Sequence, residues 1–149
     1  MEDGDRIMSG VIKRFGGYPC AHRQWKDDGH CRFLHGYDRW VVLEWEGKRD
    51  DRGWVVDFGD LRDLKQMFDY QFDHTVLIAS DDPELELWLE LDDRNAIEIR
   101  VMDPTMEGMT IWVADHVQRW TAEHYPNAVL TKVTCWENDK NAAIWHYNS

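Results

Sequence analysis

Two rhythms of apolar and polar residues divide the chain. Met8 to Phe15 carries Val11, Ile12 and Phe15 and predicts a first strand, which Gly16 and Gly17 interrupt as a bulge or bend would. Tyr18 to His22 resumes the extended chain. From Leu34 to Glu46 the residues read LHGYDRWVVLEWE, and strand alternation puts His35, Tyr37, Arg39, Val41, Leu43 and Trp45 on one face. A polar turn, GKRDDRG, leads on into WVVDF, and the two segments predict a long antiparallel hairpin. After Asp57, Gly59 and Asp60 the period lengthens. Leu61, Leu64, Phe68 and Phe72 recur at spacings of three and four, so a helix with one apolar face is expected, ending near Asp73–His74.

DDPELELWLEL obeys both periods. Its alternating leucines suit a strand, whereas Pro83 after two aspartates is a helix-start signal, and a short helix is the reading adopted. Ala96 to Met102 alternates as a strand, and Asp103–Pro104–Thr105 stops it. A helix follows to about His124 with Met109, Trp112, Val113, Val117 and Trp120 as its apolar stripe, and Tyr125–Pro126 breaks it. Val129 to Trp136 and Ala142 to Tyr147 predict the last strands, while the polar residues 1–7 are expected to fray. The whole predicts one α+β domain, residues 1–149, on an antiparallel sheet.

Composition narrows the function classes. A chain of 149 residues with 43% hydrophobic residues can bury a core without staples. Its net charge of −12 argues against binding nucleic acid through phosphates, which needs a basic face. No apolar run reaches the ~18 residues of a membrane span. Three cysteines, Cys20, Cys31 and Cys135, and no secretory leader pattern predict a reducing, cytoplasmic setting.

Candidate chemistry is concentrated in Cys20 to Asp38, where His22, His30 and His35 could each lend a ring nitrogen to a metal. Cys31 stands four residues before His35, flanked by His30 and Arg32, which favours a reactive thiol. Cys20 and Cys135 lack such neighbours and read as structural.

Five stretches in order resemble the 6-pyruvoyl-tetrahydropterin synthase and 6-carboxytetrahydropterin synthase family. They are Ala21–His22 followed by Cys31 and Leu34–His35–Gly36; VVDFGDLRDL (Val55 to Leu64); FDH (Phe72 to His74); DPTMEGM (Asp103 to Met109); and VTCWE (Val133 to Glu137). The resemblance runs from about Val11 to Tyr147. It implies the tunnelling fold, a four-stranded antiparallel sheet with two main helices on one side. Subunits of that fold join as trimers or hexamers with active sites between them.

It also implies zinc, held by His22, His35 and a third histidine whose position Tyr37 occupies here. Three outcomes are open: Tyr37 ligates as phenolate, His30 or water completes the site, or the metal is weakly held or absent. Cys31 matches the family's catalytic cysteine, Asp73 and His74 its proton-relay pair, and Glu137 the carboxylate that anchors the pterin. Thr105 is the implied second pterin contact and also reads as a helix N-cap, while Glu107 suits the helix start.

The spacing of Cys31 resembles the 6-carboxytetrahydropterin branch. That branch converts 7,8-dihydroneopterin triphosphate to 6-carboxy-5,6,7,8-tetrahydropterin, on the route to 7-deazaguanine compounds such as queuosine. The alternatives are the 6-pyruvoyl reaction and a non-catalytic homologue that binds a pterin or purine.

Overall fold

Strand β1 (Met8–His22) and strand β2 (His35–Lys48) form the hairpin at the centre of the molecule. The computed structural model describes residues 8–148, so the frayed segment expected at residues 1–7 lies outside the described residues. The two strands pair antiparallel from Met8↔Lys48 to His22↔His35, with a register shift between Phe15 and Tyr18. Glycine is required at that shift. Gly16 has φ +143, and a Cβ there would lie 2.8 Å from both the Arg39 carbonyl and the Trp40 ring.

The sheet has six strands in the order β4-β3-β1-β2-β5-β6 and is mixed rather than four-stranded and antiparallel. Strands β5 (Ala128–Trp136) and β6 (Ala142–His146) extend it antiparallel from β2. Strands β3 (Thr75–Ile78) and β4 (Ile99–Val101) extend it parallel from β1. The sequence reading contains no β3. All four of its residues are buried, so the polar–apolar alternation that reveals a half-exposed strand is missing. β4 is shorter than the Ala96–Met102 expected, because only three residues find partners on β3.

The hairpin expected between Leu34–Glu46 and WVVDF does not form. β2 gives one edge to β1 and the other to β5. Val55 and Val56 are instead buried side by side in the core, an arrangement that alternation in a two-faced strand does not permit.

Helices α1 (Arg62–Phe72) and α3 (Met106–His124) pack on the sheet face that carries Val41, Leu43 and Trp45. Leu64, Phe68 and Phe72 of α1 and Met109, Val113 and Val117 of α3 complete that core, and Trp45 Nε1 donates to Thr121 Oγ1 at 3.0 Å. Helix α2 (Leu85–Asp93) is a third helix, the short one expected after Pro83. It contributes Leu85 and Trp88 to a smaller cluster with Val76, Ile78 and Ile99. Val76 and Ile78 alternate with Leu77, which faces the main core, so α2 lies on the opposite face of the sheet. Among the described residues no helix is long and apolar enough to cross a membrane.

Candidate active site

The last rung of the β1–β2 ladder sets the site. His22 ends β1, His35 begins β2, and as cross-strand partners they bring their rings to 4.4 Å between centroids. On the other side of β2, Trp136 of β5 pairs with Trp40, so the next residue, Glu137, falls beside this cluster. One donor atom from each of His22, His35 and Glu137 lies within 4.8 Å of the other two. Glu137 Oε1 stands 3.7 Å from His22 Nε2, and its carboxylate has no hydrogen bond among the described residues.

Arg39 closes the cluster from below. Four residues past His35 on the same strand face, it is 0% exposed, and its Nη2 lies 2.7 Å from His22 Nδ1. A guanidinium only donates, so His22 Nδ1 accepts and the ring proton sits on Nε2. The remaining contacts of Arg39 are poor in charge: Nη1 approaches Met109 Sδ at 3.4 Å, and Nε has no partner. Burial, the Arg39 charge and His35 together push His22 down to about 3, so its imidazole is neutral. His35 is set the other way round, with Nδ1 2.6 Å from the Phe33 carbonyl. That carbonyl only accepts, so the His35 proton is on Nδ1 and its Nε2 offers a lone pair.

The other candidates are not gathered into this cluster. Cys31 and His30 lie on an exposed 3-10 turn, His30–Arg32, and Cys31 Sγ makes no hydrogen bond among the described residues. Asp73 and His74 follow α1, exposed, with His74 Nδ1 2.9 Å from Asp73 Oδ1. His74 has φ 59, a left-handed conformation uncommon outside glycine. It shares a cavity of about 420 Å³ with Tyr37, Cys20 and Asp38, and none of His22, His35, Glu137 or Cys31 lines that cavity. Tyr37 itself is 44% exposed and sits edge-on to His35, ring centroids 6.0 Å apart.

Thr105 caps α3: its hydroxyl accepts from Gly108 N and donates to Asp103 Oδ1, each at 2.8 Å. Glu107 stands in the first turn of that helix. Cys20 and Cys135 are buried, and burial pushes Cys135 up to about 12. Arg39 is the site residue that the sequence reading assigned no role. Its signal was there, a charge in the middle of an inward-facing apolar row.

Comparison with known proteins gives the frame for this arrangement. Residues 11–147 match the family 6-pyruvoyl tetrahydropterin synthase. The chain belongs to this family. A Rickettsia conorii member named 6-carboxy-5,6,7,8-tetrahydropterin synthase is 30% identical over 124 residues, 81% of this chain and 80% of its own. A Halobacterium salinarum relative is 31% identical over 91 residues, 61% of this chain and 58% of its own length. Among solved structures, an uncharacterized Wolinella succinogenes protein superposes with a TM-score of 0.80 at 20% identity, over 95% of this chain and 99% of that one. The 6-pyruvoyl tetrahydropterin synthase of Plasmodium vivax gives 0.69 at 17% identity, over 96% and 99%. These two likenesses establish the fold.

Whether this member holds a metal as the family resemblance implies turns on its donor atoms. Two imidazoles and a carboxylate are the right kinds of ligand. The 3.7 Å between Glu137 and His22 is near the roughly 3.4 Å that separates ligands around a tetrahedral zinc. The protons do not fit. A metal-bound imidazole ordinarily donates its second N–H to an acceptor, and His22 faces a group that can only donate. In this arrangement His22 presents a hydrogen, not a lone pair, toward the metal position.

Proposed function

We propose that the protein is a lyase that converts 7,8-dihydroneopterin triphosphate to 6-carboxy-5,6,7,8-tetrahydropterin, with loss of triphosphate and acetaldehyde. The observation that carries the reading is Glu137, a half-buried carboxylate with free acceptors at the end of β5, beside two imidazoles. Such a carboxylate takes two parallel hydrogen bonds from the 2-amino group and adjacent ring N–H of a pterin. The name of the Rickettsia relative, at 30% identity over most of both chains, supports the same product.

Cys31, Asp73 and His74 would move the protons of the side-chain chemistry. A carboxylate that orients an imidazole, which in turn activates a thiol, is a sound acid–base arrangement. Asp73 and His74 are already hydrogen-bonded to each other, while Cys31 makes no hydrogen bond to either among the described residues. A homo-oligomer, trimeric or hexameric, would complete the site by bringing Cys31 of one subunit to the Asp73–His74 pair of another. Thr105 would touch the pterin through the lone pair its cap leaves free. The three cysteines, free rather than bridged among the described residues, suit a cytoplasmic setting. No step of this reading runs through zinc, because His22 offers a proton at the point where the metal would sit.

Incubation with 7,8-dihydroneopterin triphosphate and mass spectrometry of the products tests the reading. The carboxylated tetrahydropterin with acetaldehyde is expected. A product that keeps its whole side chain moves the protein to the 6-pyruvoyl reaction. Tight pterin binding without turnover favours a non-catalytic homologue, the second reading, which Tyr37 and Arg39 motivate.

A further inference from the structure

We propose that Arg39 fixes opposite proton positions on the two imidazoles, and so turns the His22–His35–Glu137 cluster from a metal cage into a site for a ligand hydroxyl. A cation with no exposed surface and no ion-pair partner within 4.0 Å among the described residues is expensive to bury. Its Nε has no hydrogen-bond partner either, so packing alone gives no reason for an arginine at this place. What Arg39 does accomplish is specific. It donates to His22 Nδ1 at 2.7 Å, and the only neutral form of His22 compatible with that contact carries its proton on Nε2.

His35 has the complementary form, because the Phe33 carbonyl claims its Nδ1–H at 2.6 Å. The two imidazoles therefore offer one N–H, from His22 Nε2, and one lone pair, from His35 Nε2, while the Glu137 carboxylate beside them only accepts. A divalent cation needs a lone pair from both. A hydroxyl needs one of each, since it accepts at its oxygen and donates its hydrogen. The neighbouring guanidinium adds a fixed positive charge, which further disfavours a cation and favours an oxygen. Arg39 acts here through His22 and is a positioning residue. The hydroxyl ligand rests on the pterin reading, whose substrate carries hydroxyls on its side chain; the proton positions and the exclusion of metal do not rest on it.

Long-range ¹H–¹⁵N correlation of the full-length protein reads the proton positions, and titration with zinc alone reads the metal. In the wild type, His22 is expected to be protonated on Nε2, His35 on Nδ1, and zinc to bind weakly. Arg39→Met fills the same space without charge, an exchange that proteins commonly tolerate. With zinc added it should let the His22 proton move to Nδ1 and tighten zinc roughly 10- to 100-fold, the scale on which partners of metal-bound histidines act. Arg39→Lys supplies another donor and should restore Nε2–H. One equivalent of tightly bound zinc in the wild type, with His22 protonated on Nδ1, would overturn the proposal. So would an Arg39→Met protein with proton position and zinc affinity both unchanged. Should Arg39→Met fail to fold, the wild type and Arg39→Lys decide the question by the same two readouts. Neither uses substrate, so absent lyase activity would count against the pterin reading and leave this one standing.

Discussion

His22 and His35 occupy the same rung at the very end of the β1–β2 ladder, with ring centroids 4.4 Å apart. A ladder pair is held by backbone hydrogen bonds and does not depend on the path of the intervening loop. The imidazole pair is therefore anchored in the sheet, while Cys31, on the loop between the two strands, is not. Chemistry that joins them depends on how that loop is placed.

Glu137→Gln replaces a group with two acceptor oxygens by one with a single acceptor. Affinity for a pterin analogue, measured by calorimetry, should fall by about 2–3 kcal/mol, roughly 30- to 150-fold, with the melting temperature unchanged. Unaltered affinity would put pterin recognition elsewhere.

Cys31 is exposed and its Sγ makes no hydrogen bond among the described residues, so Cys31→Ala should leave thermal stability within about 0.5 kcal/mol. Turnover should fall by about 10² or more if the thiol transfers a proton. A variant that melts normally and turns over at the wild-type rate removes Cys31 from the mechanism.

Tyr37→His alone should change zinc affinity little, because it adds a donor without freeing the one that Arg39 holds at His22. Combined with Arg39→Met the gain should exceed the sum of the single effects, since neighbouring sites do not add. Zinc titrations of the four proteins form the cycle, and strict additivity would mean that position 37 does not face this cluster.

Asp82 clamps the loop after β3 to the end of β1: Arg23 Nε donates to Oδ2 at 2.7 Å, Nη2 donates to Oδ1, and Glu84 N donates to Oδ1 at 2.8 Å. Burial pushes this carboxyl up, but the Arg23 hydrogen bond, the Glu84 N–H and the Arg23 charge together hold it below its ordinary value. A carboxyl depressed in the folded state contributes stability above its unfolded pKa and loses it as the pH falls through the folded one. Asp82→Asn should therefore cost about 2–4 kcal/mol near neutrality. The gap to wild type should narrow as the pH falls through and below the ordinary carboxylate range. Melting curves across that range check both, and a gap independent of pH would mean that the carboxylate's charge is not what stabilises the clamp.

Thr105→Ala removes the acceptor of the Gly108 N–H and the donor to Asp103, at the first turn of α3. A loss of about 1 kcal/mol is expected from denaturant unfolding. Thr105→Ser, which keeps the hydroxyl, should restore most of it; if it does not, the methyl group's packing carries the effect.

The sequence by itself determined those parts of the protein whose local pattern is unambiguous. The inward face of β2, the apolar sides of α1 and α3, the break at Gly16–Gly17 and the motifs that mark the family are all written as spacings of a few residues. It also joined His22 and His35 through the family resemblance, but held Glu137 apart from them in the last motif. What it could not supply was pairing. β3 is buried on both faces and carries no alternation, so it and the parallel pairing it makes with β1 and β4 were invisible, and WVVDF looked like a strand because Val55 and Val56 are buried for another reason. The meeting of Glu137 with two histidines depends on β5 lying beside β2, a contact between residues about a hundred positions apart in the chain. Tertiary structure alone decided the role of Arg39. An arginine in an apolar row is a plain anomaly in the sequence, and only the 2.7 Å contact with His22 Nδ1 makes it the residue that sets which ring nitrogen carries the proton.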